Sequence, residues 1–206
     1  MGKITTALFR LFSKITAIPA LIKANLKYKH YFSITSSAKD VIFGKDSRIS
    51  NYQHDISKLT IGDGSIIDGI IQVFPYGNGV SIGNNCYVGE LSRIWAANRI
   101  EIGNNVLISH NVNIIDTDSH EINYQEREES AILQLRRGLP NNPGKVKTAP
   151  IIIKDNAWIS YNVSILKGVT IGRGAIIGCG SVVTHDIPDF WLAAGNPAKL
   201  IKKINE

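Results

Sequence analysis

The stretch running from Ile151 to Val183, "IIIKDNAWISYNVSILKGVTIGRGAIIGCGSVV", decides the fold. From Ile153 an aliphatic residue recurs every six positions: Ile159, Ile165, Ile171, Ile177 and Val183 follow. Four residues after each of the first five stands a small or β-branched residue: Ala157, Val163, Val169, Ala175 and Ser181. A period of six matches neither the 3.6 residues of a helical turn nor the sustained alternation of a long strand. It matches short extended segments joined by bends, with the aliphatic side chains turned to a common interior. Three such segments close one triangular coil. Residues 18 apart should therefore stack, Ile153 on Ile171, Ile159 on Ile177 and Ile165 on Val183, building a narrow continuous core. Burial of each Ile or Val contributes roughly 1.5–3 kcal/mol.

Outward from this stretch the same cadence appears at Ile82-Gly83, Val88-Gly89, Ile94 and Ile100. It shifts by two residues and resumes at Ile102-Gly103, Ile108 and Ile114, with an outlying "IGDGSI" at Ile61. Gly and the pairs Asn84-Asn85 and Asn104-Asn105 supply the positive φ that corners require. After Ile114 the repeat stops until Ile151, and an insertion of that length must leave the prism. Its middle, Gln125 to Gly138, is charged and reads as a short helix, after which Pro140, Pro143, Gly144 and Pro150 extend or turn the chain.

Composition sets the outer bounds. Of 206 residues, 44% are hydrophobic and 19% charged, which excludes a disordered chain and a multi-span membrane protein. Six of the 23 basic residues, Lys3, Arg10, Lys14, Lys23, Lys27 and Lys29, fall within residues 1–29, and the first acid is Asp40. The 17 that remain match 17 acids, so a basic arm precedes a balanced body and nucleic-acid binding is not expected. Cys86 and Cys179 have no CxxC partner and make no disulfide framework, so a reduced, cytoplasmic setting is the expectation. Residues 1–40 read as a basic amphipathic arm, 41–190 as the repeat body with an excursion at about 117–150, and 191–206 as a tail with a short helix.

The stretch from Ile151 through "THDIPDFWLAAGNPAKLIKKI", with "IEIGNNVLISHNVNIIDTDSHEI" before the excursion, resembles the hexapeptide-repeat acyltransferases, specifically the galactoside, maltose and polysaccharide O-acetyltransferase branch. That resemblance implies an all-β fold, a left-handed parallel β-helix, assembled as a homotrimer with acetyl-CoA lying between adjacent prisms. It also implies acetyl transfer to a hydroxyl of a saccharide, a surface polysaccharide or its precursor, with no metal. Relatives on xenobiotics or on nucleotide-linked amino sugars, and a non-catalytic scaffold, are the competing readings.

"DTDSH" resembles the motif that carries the family's catalytic His, which puts the general base at His120. A neutral imidazole takes a proton from a weakly nucleophilic hydroxyl and returns one to the departing thiolate. Asp118 is the first candidate to orient it, ahead of Asp116 and Glu121. The resemblance places an oxyanion-stabilising backbone amide at Tyr161 or neighbouring Ser160. For CoA it indicates Trp158, Gly178, Cys179, Gly180 and Thr184. His185 stands where the family often carries Lys. Lys199, Lys202 and Lys203 offer ammonium groups to the CoA phosphates. Asn98 and Trp95, where the register slips, are the candidates to contact the acceptor, and His110 reads as an outward-facing structural residue. The basic arm is read in two ways, as a cap on the open end of the prism and as a peripheral membrane contact.

Overall fold

The structure, a computed structural model, describes Ile22 and residues 25–204. The chain divides into two units, residues 1–33 and residues 34–206. In the first, residues 25–33 are helical (α1). Most of the basic arm lies outside the described residues, and with it both readings of that arm.

The second unit is a stack of six triangular coils. The coils are β1 (Ser36–Ser37), β2 (Ile42–Phe43) and β3 (Arg48–Asn51); β4 (Leu59–Ile61), β5 (Ile66–Ile67) and β6 (Ile70–Val73); and β7 (Gly79–Ile82), β8 (Tyr87–Val88) and β9 (Arg93–Ala96). Above these come β10 (Arg99–Ile102), β11 (Leu107–Ile108) and β12 (Asn113–Ile115); β13 (Ile151–Ile153), β14 (Trp158–Ile159) and β15 (Ser164–Leu166); and β16 (Thr170–Ile171), β17 (Ile176–Ile177) and β18 (Val182–Val183). Each strand pairs in parallel with its counterpart one coil away, giving three sheets and a left-handed parallel β-helix.

The registers follow from the hexads. Ile153 pairs with Ile171, Ile159 with Ile177 and Ile165 with Val183. The 33 inserted residues do not disturb the stacking, since Ile102 lies on Ile153 and Ile114 on Ile165. All of these side chains are buried, as are Ala157, Val163, Val169, Ala175 and Ser181, which fill the space behind the corners. Non-glycine residues with left-handed φ mark those corners: Asn85, Asn105 and Asn156 between the first and second faces, Asn111 and Asn162 between the second and third. Along the first corner a ladder of side chains holds the coils together. Asn84 Oδ1 accepts the amide of Asp63, Asn104 Oδ1 that of Asn84, and Asp155 Oδ1 that of Asn104, at 2.9, 2.9 and 2.7 Å.

The third corner, between the third face and the first face of the next coil, is irregular. It carries Tyr52–Asp55, Phe74–Asn78, Ala97–Asn98 and, after β12, the whole excursion. The two-residue slip of the hexads is the Ala97–Asn98 turn. Within the excursion, α2 (Tyr124–Arg137) forms where the charged middle predicts a helix. The Asn123 side chain accepts the amides of Gln125 and Glu126, Arg136 and Arg137 lie in the last turn, and Gly138 at φ 82 ends it.

The tail differs from expectation. Instead of a helix, residues 191–203 form a hairpin: β19 (Trp191–Gly195) continues the second sheet beside β17, and β20 (Ala198–Lys203) turns back antiparallel onto it. Gly195, at φ 111, takes a conformation closed to other residues and reverses the chain. β20 then pairs with backbone groups that β19 would otherwise leave open at the sheet edge.

Candidate active site

Asp116, the first residue past β12, is fully buried, and its carboxylate accepts the amides of Ala97 at 2.7 Å and Asn98 at 2.9 Å. Burial pushes its pKa up to about 6 even though these bonds favour the charged form. This carboxylate fastens the excursion to the coil below. Where the chain returns, Asn98 Nδ2 donates to Thr148 Oγ1 at 3.1 Å and the Ala149 amide to Asp116 O at 3.0 Å. Asn98 thus braces the root of the excursion rather than lining the space in front of His120.

His120 stands exposed at the mouth of a cavity of about 460 Å³. The α2 side chains Ser130, Leu133, Gln134 and Arg137 form one wall, and Phe74 and Tyr76 form another. Among the described residues the His120 imidazole has no hydrogen-bond partner; only its backbone amide is engaged, with Asp118 O at 2.8 Å. The Asp118 carboxylate is turned to Lys167 Nζ, from the turn after β15, so within this chain it does not orient the imidazole. Glu121 accepts from Ser130 Oγ at 2.6 Å, which holds its carboxyl below the usual range.

Phe74 and Tyr76 were not among the residues singled out from sequence. Their rings stack at 5.7 Å between centroids with 26° between planes, and burial raises the Tyr76 pKa, helped by Asp116 and Glu121. Trp95 faces outward from β9 between Gln72 and Ile115, outside the His120 cavity, with its buried Nε1 lacking a partner among the described residues.

The second corner holds a different group. His110 and Tyr161, one coil apart, stack at 5.2 Å with 1° between planes, and the Tyr161 hydroxyl is bonded to Cys179, one coil further, which raises its pKa. The two candidate oxyanion amides separate here. The Ser160 amide is committed to Ile177 O at 3.0 Å, a bond of the coil-to-coil ladder, so it has no free proton to offer. Among the described residues the Tyr161 amide has no acceptor, while the Tyr161 carbonyl takes the Gly180 amide at 3.0 Å. Of the glycines, Gly180 faces open space, but the bare face of Gly178 is used against Ala194, whose Cβ would lie 2.8 Å from an added one. Thr184 Oγ1 and His185 Nδ1 are bonded to each other at 2.8 Å. Lys199 and Lys202 extend from β20 opposite Ala194 and Leu192.

Trp158, 46% exposed, belongs to an unbroken outward row on the second face: Ile42, Ile66, Tyr87, Leu107, Trp158, Ile176 and Leu192 in register. Among the described residues no group of three or more His, Cys, Asp or Glu converges as a metal site would require.

The family model for the bacterial transferase hexapeptide (six repeats) matches residues 150–185. Residues 150–185 thus carry the repeat that this transferase model describes. The chain is 53% identical over 64 residues to a Staphylococcus aureus protein named "Putative acetyltransferase SAV2555", covering 31% of this chain and 32% of that one. It is 38% identical over 131 residues to the Saccharomyces cerevisiae protein "Putative acetyltransferase YJL218W", covering 64% and 59%. The chain thus spans about a third of the length of the first of these relatives. Its fold is shared with AntD, an N-acyltransferase from Bacillus cereus solved with dTDP and 3-hydroxybutyryl-CoA, at a TM-score of 0.66 and 21% identity over 86% of this chain and 88% of that one. NeuO, a polySia-specific acetyltransferase, superposes at a TM-score of 0.54 with 29% identity over 79% and 65%.

Proposed function

We propose that this protein is a hexapeptide-repeat transferase, an acetyl-CoA-dependent O-acetyltransferase acting on a saccharide hydroxyl, and that it works as a homotrimer in the cytoplasm. The observation that carries the proposal is the His120 imidazole, without a hydrogen-bond partner among the described residues, bordering a cavity at the long break in the repeat. His120 removes the hydroxyl proton as the oxygen attacks the thioester carbonyl. The Tyr161 amide N–H donates a hydrogen bond to the carbonyl oxygen as negative charge develops on it. His120 then protonates the departing CoA thiolate, so the proton balance closes without a covalent enzyme intermediate. The relatives' names and the CoA bound in AntD support acyl transfer.

Trimer formation has a geometric reason. The His120 group hangs from the third corner and the Tyr161 amide from the second. A face of the prism separates them, roughly 16 Å for five residues at ~3.3 Å each. One reaction centre using both needs His120 of one copy beside the second corner of another. The outward apolar row through Leu107 and Trp158 is a surface of the kind that such an association buries.

The test is thiol release from acetyl-CoA with a panel of sugars, an amino-sugar nucleotide and chloramphenicol. Release with the sugars supports the proposal. Release with the nucleotide alone assigns N-acyl transfer, and release with chloramphenicol alone assigns a xenobiotic acceptor. Subunit mixing tests the composite site. His120→Ala and Tyr161→Pro chains, each inactive, should regain activity at about a quarter of the sites when refolded together at random. The two readings of the basic arm separate on removal of residues 1–29. Lost liposome binding by an intact trimer favours membrane contact, and aggregation favours the cap.

A further inference from the structure

We infer that the Phe74–Tyr76 pair is the platform on which the acceptor's sugar ring lies, that Gln53 is the residue positioning it, and that the ring it takes is an uncharged glycoside. The inference rests on the reading of His120 as the base acting on a saccharide, and it goes further by naming the acceptor subsite and its selectivity.

The platform is built from the third corner alone. Segment 74–78 is held against the coils on both sides. The Phe74 amide donates to Ala96 O at 2.9 Å, the Asn78 amide to Asn98 O at 2.5 Å, and the Gly77 amide closes the turn onto Phe74 O at 3.0 Å. A side chain at Gly77 would place Cβ 2.4 Å from Ala96 O, so only glycine lets the turn sit this close. From the coil below, the Gln53 side chain reaches in: Nε2 donates to Phe74 O at 3.2 Å and also to Gly77 O. Gln53 thus joins both ends of the turn that carries the rings. No ring of the prism interior is involved; both rings are half-buried and line the cavity that His120 borders.

Aromatic faces take the C–H face of a pyranose, leaving its hydroxyls at the edge where a base can reach them. The cavity volume, about 460 Å³, lies within the range of small-molecule sites. Its charged lining groups are Glu121 and Arg137, one of each sign, with His120 beside them. The rest of the wall mixes apolar Leu133, Pro140 and Val146 with polar Ser130, Gln134 and Asn142. A single guanidinium offset by a carboxylate gives no concentration of positive charge for a diphosphate or for an acidic sugar's carboxylate, whereas the polar groups suit neutral hydroxyls.

The test uses methyl β-galactopyranoside, methyl β-glucopyranoside and methyl N-acetylglucosaminide as neutral probes, with methyl galacturonide and UDP-N-acetylglucosamine as charged ones. Saturation-transfer NMR reads ring contact without turnover, and steady-state kinetics read the acceptor and acetyl-CoA KM separately. The expected result is ring-proton saturation for at least one neutral glycoside. It is retained in His120→Ala and lost in Phe74→Ala and Tyr76→Ala. Gln53→Leu should raise the acceptor KM about tenfold, with the acetyl-CoA KM and the thermal midpoint unchanged. Ring saturation that survives Phe74→Ala and Tyr76→Ala overturns the platform. Preference for the charged probes, or no saturation by any neutral one, overturns the selectivity. Equal movement of both KM values in Gln53→Leu overturns its positioning role. Because binding is read in His120→Ala, failure of the base assignment shows as turnover by that variant and leaves the ring-contact result separate.

Discussion

Asp118 and Lys167 form an ion pair that ties the first turn of the excursion to the coil in which the repeat resumes. Both side chains are about 70% covered, so the pair is worth no more than about 1 kcal/mol after screening. Its consequence is positional, because Asp118 is two residues from His120. Lys167→Met should lower the melting temperature by only about 2–4 °C. It should lower kcat by about threefold to tenfold through looser placement of His120, with the acetyl-CoA KM unmoved. Differential scanning fluorimetry and initial rates check both numbers.

Asp116 makes stability depend on pH. Burial lifts its pKa to about 6, above the ordinary carboxylate value near ~3.9. Between these values the folded chain binds more protons than the unfolded one. Stability contributed by this group therefore falls as pH rises from about 4 to about 6, and is level above that. Asp116→Asn does not titrate, and it leaves one of the two amides of Ala97 and Asn98 without its acceptor, at a cost of about 1–3 kcal/mol. The melting-temperature gap between wild type and Asp116→Asn should be wider at pH 4.5 than at pH 7.5. A gap widest at pH 7.5 contradicts the burial argument.

The proposed mechanism uses a backbone amide at the second corner, so the side chains around it should matter little. Tyr161→Phe loses the bond to Cys179, and Cys179→Ala loses the same bond from the other side. Each variant should keep kcat within about threefold of wild type, since the loss of a true oxyanion donor costs about 100-fold or more. Rate measurements at saturating acetyl-CoA decide it.

The core carries stability and not chemistry. Ile165, 1% exposed, lies between Ile114 and Val183 on the third face. Ile165→Ala should cost about 2–5 kcal/mol, a fall of about 5–15 °C in melting temperature. The residual activity of the folded fraction below that midpoint should match wild type per active site.

What was legible in sequence and what was not divides along the same line. The interior is periodic because every inward position must match the one stacked on it. The Ile153–Ile171 register and the Asn corners therefore follow from spacing alone, and the excursion helix follows from its charged composition. The third corner has no such constraint. Phe74 and Tyr76 precede His120 by more than forty residues and obey no period, and only coil stacking brings their turn beneath the excursion. Asn98 stands at the register slip and Asp118 within the motif, but their side chains are bonded elsewhere, to Thr148 and Lys167. Ser160 and Tyr161 are adjacent letters, and only the ladder distinguishes a committed amide from an open one. The tail's run of lysines suggests a helix, whereas the open edge of β19 and the reversal at Gly195 make it a strand.

The most direct measurement is acetyl-CoA turnover by His120→Ala, with its thermal midpoint and CoA binding recorded on the same preparation. His120 packs against no core and its imidazole has no partner among the described residues, so the fold should melt within about 2 °C of wild type while kcat falls about 100- to 10,000-fold. Turnover within a few-fold of wild type by a folded, CoA-binding His120→Ala chain would contradict the assignment of the base.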